Sequence, residues 1–174
     1  VNTHTVGDQE NPTVAALDDG TFVVVWESNN QVSGTSLKDI YAQIYAADGT
    51  TEGSEFQVNT YTTNQQTEPF VAHVGAGKFV VTWQSWANDG DKEGVYAQRY
   101  AADGTKAGSE FLVNTHTTNG QDKPSVAALD AGKFVVTWQS SNQDGSGVGV
   151  YAQRYAANGT KDSTEFKVND ETSD

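Results

Sequence analysis

The sequence predicts an all-β protein made of three four-stranded antiparallel repeats, arranged like the blades of a β-propeller. Three observations lead to this fold class. One unit of about 55 residues occurs three times in tandem, each unit holds four short strand-like segments separated by turn residues, and no segment shows a helical period. Propellers are built in this way, from four-stranded sheets set around an axis.

Three landmark residues define the repeat. Each copy contains a proline, a tryptophan and a tyrosine at matching positions: Pro12, Pro69 and Pro124; Trp26, Trp83 and Trp138; Tyr41, Tyr96 and Tyr151. The landmarks divide the chain into repeat 1 at 1–57, repeat 2 at 58–112, repeat 3 at 113–167 and the start of a fourth copy at 168–174. Because Val1 falls inside this pattern, we expect the chain to be a processed piece of a longer protein.

The four strands of each copy follow from local patterns, here given for the first copy. We expect the first strand at Thr13–Leu17, after the proline, and the second at Phe22–Ser28, whose apolar residues on both faces predict a strand covered on both sides. The third strand is expected at Ile40–Ala46. An Asp48-Gly49 turn, predicted as type I′, leads to the fourth strand at Glu55–Asn59.

The number of repeats bears on the assembly. Natural propellers close with about four to eight blades, so three blades do not complete a ring comfortably. We therefore expect the chain to associate with itself, as a dimer with six blades, or to belong to a longer array of neighbouring repeats. A β-trefoil or β-prism with internal three-fold symmetry is the alternative, since those folds close with three units.

Composition excludes several classes of partner. The chain has 23 acidic and 10 basic residues, a formal net charge of −13 that repels phosphate backbones, so nucleic-acid binding is not expected. No apolar run approaches the length of a membrane span. The absence of cysteine excludes both disulfides and a cysteine nucleophile.

The third copy gives the repeat in its clearest form. Residues 113–166 read Val-Asn-Thr…Pro-x-Val-Ala-Ala-Leu…Gly-Lys-Phe-Val-Val-Thr-Trp-Gln-Ser…Gly-Val-Tyr-Ala-Gln-Arg-Tyr-Ala-Ala…Glu-Phe. This pattern resembles the tandem repeats of large secreted bacterial RTX or hemolysin-type exoproteins and adhesins. The resemblance implies a secreted or cell-surface bacterial location and a role in adhesion or spacing. The first copy departs most, with Glu27 in place of the glutamine and Ile44 in place of the arginine.

The loops between the second and third strands contain candidate metal ligands. Asp89, Asp91 and Glu93 alternate around a glycine in the second copy, and Asp144 lies in the equivalent loop of the third. Calcium takes several hard oxygen ligands, so these residues are a candidate calcium site and calcium is the candidate cofactor. The alternative is an ordinary polar hairpin loop, in which Asp and Gly serve the backbone.

The tryptophans fall into two groups. The three that end the second strand recur in every copy and are expected to pack between blades. Trp86 occurs only in the second copy, beside the acidic loop. We therefore predict that Trp86 is an exposed contact residue for a glycan or a protein.

No catalytic motif is visible in the sequence. It lacks a nucleophile elbow, a phosphate-binding loop and any zinc-ligand spacing. We therefore predict a non-catalytic extracellular repeat module for adhesion, spacing or self-assembly, with calcium as its stabilising ion, and not an enzyme. A glycan-binding propeller is the first alternative. The second is a polysaccharide-acting enzyme, because paired catalytic carboxylates meet in space and need no sequence motif.

Overall fold

The computed structural model describes residues 2–31 and 37–170. They form three separate four-stranded antiparallel sheets, so the predicted blade architecture is confirmed. Blade 1 consists of β1 Gln9–Ala16, β2 Phe22–Asn29, β3 Lys38–Tyr45 and β4 Thr51–Gln57. Blade 2 consists of β5 Gln66–Gly75, β6 Lys78–Trp86, β7 Glu93–Tyr100 and β8 Phe111–Leu112. Blade 3 consists of β9 Gln121–Ala128, β10 Phe134–Ser141, β11 Val148–Tyr155 and β12 Phe166–Lys167.

The first strand of each blade is the inner strand of the propeller. Strand β1 packs beside β5, and β5 packs beside β9, so these three strands lie closest to the common axis. Two hydrophobic cores fill the junctions, one between blades 1 and 2 and one between blades 2 and 3. Trp83 and Trp138 lie in these two cores, which confirms their predicted packing between blades. Trp26 is buried as well but belongs to neither core. The described residues contain no helix able to span a bilayer.

The inner strands begin earlier than predicted. Each starts three residues before the proline, and the residue just before the proline adopts a positive φ: Asn11 at 48°, Glu68 at 54° and Lys123 at 51°. Proline cannot donate to a β ladder, so the chain forms a bulge there and then resumes pairing with a shifted register. The bulges bring polar side chains and backbone N–H groups to the same end of all three blades.

The turn between the third and fourth strands also differs from the prediction. Only the glycines have positive φ, with Gly49 at 83°, so the turn is not type I′. The Asp48 carboxylate instead accepts hydrogen bonds from the Thr50 backbone N–H and hydroxyl. Asn158 does the same for Thr160 through its amide oxygen, which explains why aspartate and asparagine are interchangeable there.

The outer strands are shorter than predicted in blades 2 and 3, where β8 and β12 have two residues each. The pairing continues beyond them through single bonds, since the N–H groups of Val58, Val113 and Val168 each donate to a carbonyl of the third strand. The fourth copy predicted at 168–174 lies partly outside the described residues, because residues 171–174 are not described.

Candidate functional site

A cluster of charged residues lies at the bulged end of blade 1. The ammonium of Lys38, on β3, is 2.8 Å from a carboxylate oxygen of Glu27 on β2 and 3.0 Å from one of Glu10 on β1. Glu10 and Glu27 are cross-strand neighbours, and Lys38 reaches both from the third strand. One lysine therefore holds two carboxylates close together on one face of a blade.

Glu27 is fully buried, and each of its oxygens has a hydrogen-bond donor. One oxygen accepts from the Asn11 side-chain amide and from the Glu68 backbone N–H, both at 2.8 Å, and the other accepts from Lys38. Because Glu68 belongs to blade 2, Glu27 connects two blades. A buried carboxylate is stable only when paired and hydrogen-bonded in this way. The pKa of Lys38 is raised, chiefly by its hydrogen bond to Glu27.

The carboxylates differ in their access to solvent. Glu10 and Glu68 are exposed on the neighbouring inner strands, whereas Glu27 lies beneath them. The two exposed groups are accessible to a ligand, and the buried one positions the strands that present them. We call Glu10, Asn11, Glu27, Lys38 and Glu68 the junction cluster.

A cavity of about 300 Å³ lies at the same junction and is lined by Leu37, Asn64, Gln65 and Trp86. Leu37 directly precedes Lys38 of the junction cluster, so cavity and cluster are adjacent along the chain. Trp86 is 45% exposed, and its role as a contact residue stays a prediction. An exposed aromatic ring beside two amide side chains is suited to stacking against a sugar ring and hydrogen-bonding its hydroxyls.

Two of the four predicted calcium ligands, Asp91 and Asp144, are engaged by other groups of the protein. Asp91 accepts a hydrogen bond from the Asn119 backbone N–H at 2.8 Å, and Asp144 pairs with Lys167 at 2.6 Å, a contact that lowers the pKa of Asp144. Asp89 lies in the same loop and accepts a long hydrogen bond of 3.5 Å from the Asp91 N–H, whereas Glu93 is the first residue of β7 and pairs with Trp86 in the sheet. Among residues 2–31 and 37–170, no three acidic or histidine side chains are grouped as a metal site. Calcium binding by these four residues stays a prediction.

Two further clefts, of about 640 and 560 Å³, lie at equivalent places in blades 3 and 2. Each contains a glutamate of the outer segment, Glu165 or Glu110, that accepts a hydrogen bond at 2.6 Å from a threonine backbone N–H. Burial raises the pKa of Glu110. Since these carboxylates fasten the chain in the same way in each copy, their role is structural.

Sequence reasoning missed the junction cluster. Repeat alignment does reveal one signal, because Glu27 replaces a glutamine that occurs as Gln84 and Gln139 in the other copies. Lys38 is likewise unique, with Glu93 and Val148 at the equivalent positions. Two charge changes at adjoining positions of one copy indicate a coupled pair, but only the fold shows that they meet.

Known proteins match the chain in structure only: no protein-family model matches it, and no curated protein does. The solved structures that are similar to the chain include these three. A thermostable family-43 glycoside hydrolase has a TM-score of 0.56 at 14% identity, covering 98% of this chain and 61% of that one. The α-L-arabinofuranosidase of Lactobacillus brevis has a TM-score of 0.61 at 15% identity, with 92% and 57% covered. The endo-arabinase of Bacteroides thetaiotaomicron has a TM-score of 0.50 at 18% identity, with 85% and 57% covered.

These matches correct the functional prediction. At sequence identities of 14 to 18%, the similarity concerns the fold alone. The chain spans about three-fifths of the length of each of these neighbours. The prediction of a non-catalytic module for adhesion, spacing or self-assembly, and not an enzyme, is wrong. It rested on the absence of motifs and on the equivalence of the copies. The fold is one that carries glycoside hydrolases, and the junction cluster shows that the copies are not equivalent.

Proposed function

We propose that this chain is the three-bladed part of a polysaccharide-acting β-propeller enzyme, with its substrate site at the junction of blades 1 and 2. The observation that carries the proposal is the junction cluster, in which two carboxylates share one lysine beside the cavity of Trp86. The fold likeness to glycoside hydrolases supports the same class of substrate.

The chemistry follows from the exposure of the two outer carboxyl groups. Glycoside hydrolysis generally uses a pair of carboxyl groups, one donating a proton to the leaving oxygen and the other activating water or attacking the sugar. Glu10 and Glu68 are the accessible pair, on adjacent inner strands. Glu27 and Lys38 are positioning residues: Glu27 accepts the Glu68 N–H, and the Lys38 ammonium compensates the charge of Glu10.

Trp86 supplies the binding subsite in this proposal. Its exposed ring stacks on a sugar residue next to the bond that is cleaved, while Asn64 and Gln65 face the hydroxyl groups. The proposal includes a secreted or cell-surface bacterial location, in keeping with the net charge of −13 and the resemblance of the repeat to those of bacterial exoproteins.

The test is release of reducing sugars from arabinan and from an α-L-arabinofuranosyl oligosaccharide, substrates chosen from the neighbours' names. We expect release by the unaltered chain and a rate lower by about 10²- to 10⁴-fold for Glu10→Gln and for Glu68→Gln, since each removes a proton-transfer group. Glu52→Gln, an exposed change on β4, is the matched control and should keep the full rate. No release from either substrate, or full rates for both active-site variants, would contradict the proposal.

A further inference from the structure

Each blade packs on its neighbours through two different faces. We call the side that packs on the preceding blade the leading face and the side that packs on the following blade the trailing face. Val71 and Phe79 of blade 2 point toward blade 1, whereas Val80 and Val95 point toward blade 3. The leading face of blade 1 and the trailing face of blade 3 have no blade against them among the described residues.

The trailing face of blade 3 is apolar and exposed. Val168 is 50% exposed, whereas Val113, its counterpart in blade 2, is fully buried. Phe166 is 43% exposed, whereas its counterpart Phe111 packs against Tyr155 of the next blade with ring centroids 5.3 Å apart. Exposed apolar patches of this kind mark interaction surfaces. The surface that binds the next blade elsewhere in the chain is therefore available on blade 3.

The leading face of blade 1 carries the complementary features. Val14 is 63% exposed, although Val71 and Val126 at the equivalent positions are 4% and 3% exposed. Phe22 stacks on Tyr45 at 5.0 Å, the same ring pair that receives a phenylalanine from the preceding blade at the two internal junctions. Phe166 therefore matches the Phe22–Tyr45 pair in shape and chemistry.

Polar groups on the trailing face match as well. At the internal junctions, Gln84 accepts a bulge N–H, Asp18 accepts the Gly77 N–H at 2.6 Å, and Arg99 donates to the Ala157 carbonyl at 2.9 Å. Among the described residues, the equivalent groups on blade 3 have no blade against them, although Arg154 pairs with Asp162 of its own blade at 3.5 Å, and the groups that would meet them lie on blade 1. The pairs are Gln139 with the Asn11 N–H, Asp130 with the Gly20 N–H, and Arg154 with the Ala47 carbonyl.

We infer that a second copy of this chain binds head to tail, with the trailing face of each blade 3 on the leading face of the other blade 1. Both halves of the interface belong to one chain, so two copies related by a two-fold axis satisfy both contacts and close a ring of six blades. The two internal junctions of each chain are the template for the contact. The inference concerns assembly and is independent of the chemistry proposed for the junction cluster.

The test is the mass in solution, measured by light scattering and sedimentation without substrate. We expect twice the chain mass of 18.6 kDa for the unaltered protein. Val14→Glu and Phe166→Glu, each altering one face, should give monomers with a Kd raised at least about 100-fold. Phe70→Glu, a change at a similarly exposed phenylalanine outside both faces, is the matched control and should remain dimeric.

A mixing experiment distinguishes variants that are monomeric because one face is altered from variants that do not fold. Val14→Glu keeps an intact trailing face and Phe166→Glu an intact leading face, so an equimolar mixture can form one unaltered junction. We expect the mixture to form a heterodimer although each variant alone is monomeric. An unaltered protein that stays monomeric at every concentration, or that grows into longer chains, would overturn the inference. Glu10→Gln should remain dimeric, which separates this test from that of the enzymatic proposal.

Discussion

The two internal junctions perform the same structural task with different chemistry. Between blades 1 and 2, the carboxylate of Glu27 accepts the bulge N–H of Glu68 at 2.8 Å. Between blades 2 and 3, the neutral amide of Gln84 accepts the bulge N–H of Lys123 at 3.2 Å. A glutamine is therefore sufficient to join two blades, and the fold has no need of the charge on Glu27.

The buried charge of Glu27 at the junction of blades 1 and 2 has a desolvation cost that the neutral Gln84, at the junction of blades 2 and 3, does not have. Burying a carboxylate requires a cation and several donors, and Lys38 and Asn11 supply them. At the second junction the Gln84 amide only donates to the Thr67 hydroxyl at 3.0 Å. The fold therefore does not require the Glu27–Lys38 pair, and we propose that this pair serves the site.

The largest expected effect comes from removing the cation. Lys38→Met leaves Glu27 buried without its ion-pair partner, and breaking a buried pair in this way costs about 3 kcal/mol of unfolding free energy. Denaturant unfolding at neutral pH measures the loss. Lys123→Met, at the second junction, is the matched control and should change stability by less than about 0.5 kcal/mol, since its side chain is exposed. Equal losses of unfolding free energy in the two variants would contradict the claim that only the first junction depends on a buried ion pair.

A smaller loss of stability is expected when Glu27 at the first junction is replaced by glutamine, the residue found at the second. Glu27→Gln keeps an acceptor for the Glu68 N–H and leaves Glu10 to pair with Lys38, so we expect a loss of about 1 kcal/mol. The same denaturant titration measures this change. A loss above about 3 kcal/mol would mean that the charge is essential to the junction.

The pH dependence of stability sharpens the comparison. The pKa of Lys38 is raised in the fold, mainly by the hydrogen bond to Glu27. The charged lysine therefore adds its full contribution to the free energy of unfolding at pH values below its ordinary pKa of about 10.4. This contribution is lost as the pH rises through the raised pKa. Between about pH 10 and 12 the unaltered chain should therefore lose more stability than Lys38→Met. Tyrosine ionisation affects both chains alike and cancels in the difference. Parallel pH profiles would contradict the strong Lys38–Glu27 contact.

The smallest effect on stability is expected at Trp86. Its ring is half exposed, so Trp86→Ala should change the unfolding free energy by less than about 0.5 kcal/mol. Affinity for an arabinose oligosaccharide should nevertheless fall about tenfold, because the stacking surface is lost. Calorimetric titration measures the affinity. An unchanged affinity would remove Trp86 from the site.

The sequence predicted more of the fold than of the candidate site. The continuous apolar run Phe22–Trp26 and the recurrence of the three landmark residues were sufficient to predict blades, since a strand that is apolar on both faces can be recognised from local sequence. The bulges were missed because a proline signals an interruption without showing that pairing resumes on its other side. The junction cluster was missed because Glu10, Glu27 and Lys38 lie on three different strands, and their contact depends on register that only the folded sheet defines.

The most direct test of the central claim is the hydrolysis rate of Glu27→Gln, measured on arabinan below its unfolding midpoint. If the Glu27 carboxylate serves the site, the variant should fold with three intact blades and cleave about 100-fold more slowly than the unaltered chain, because the Lys38 ammonium loses the ion pair with Glu27 that fixes its position beside Glu10. A variant that folds and cleaves at the full rate would contradict the claim, and would assign the charge at the first junction to stability alone.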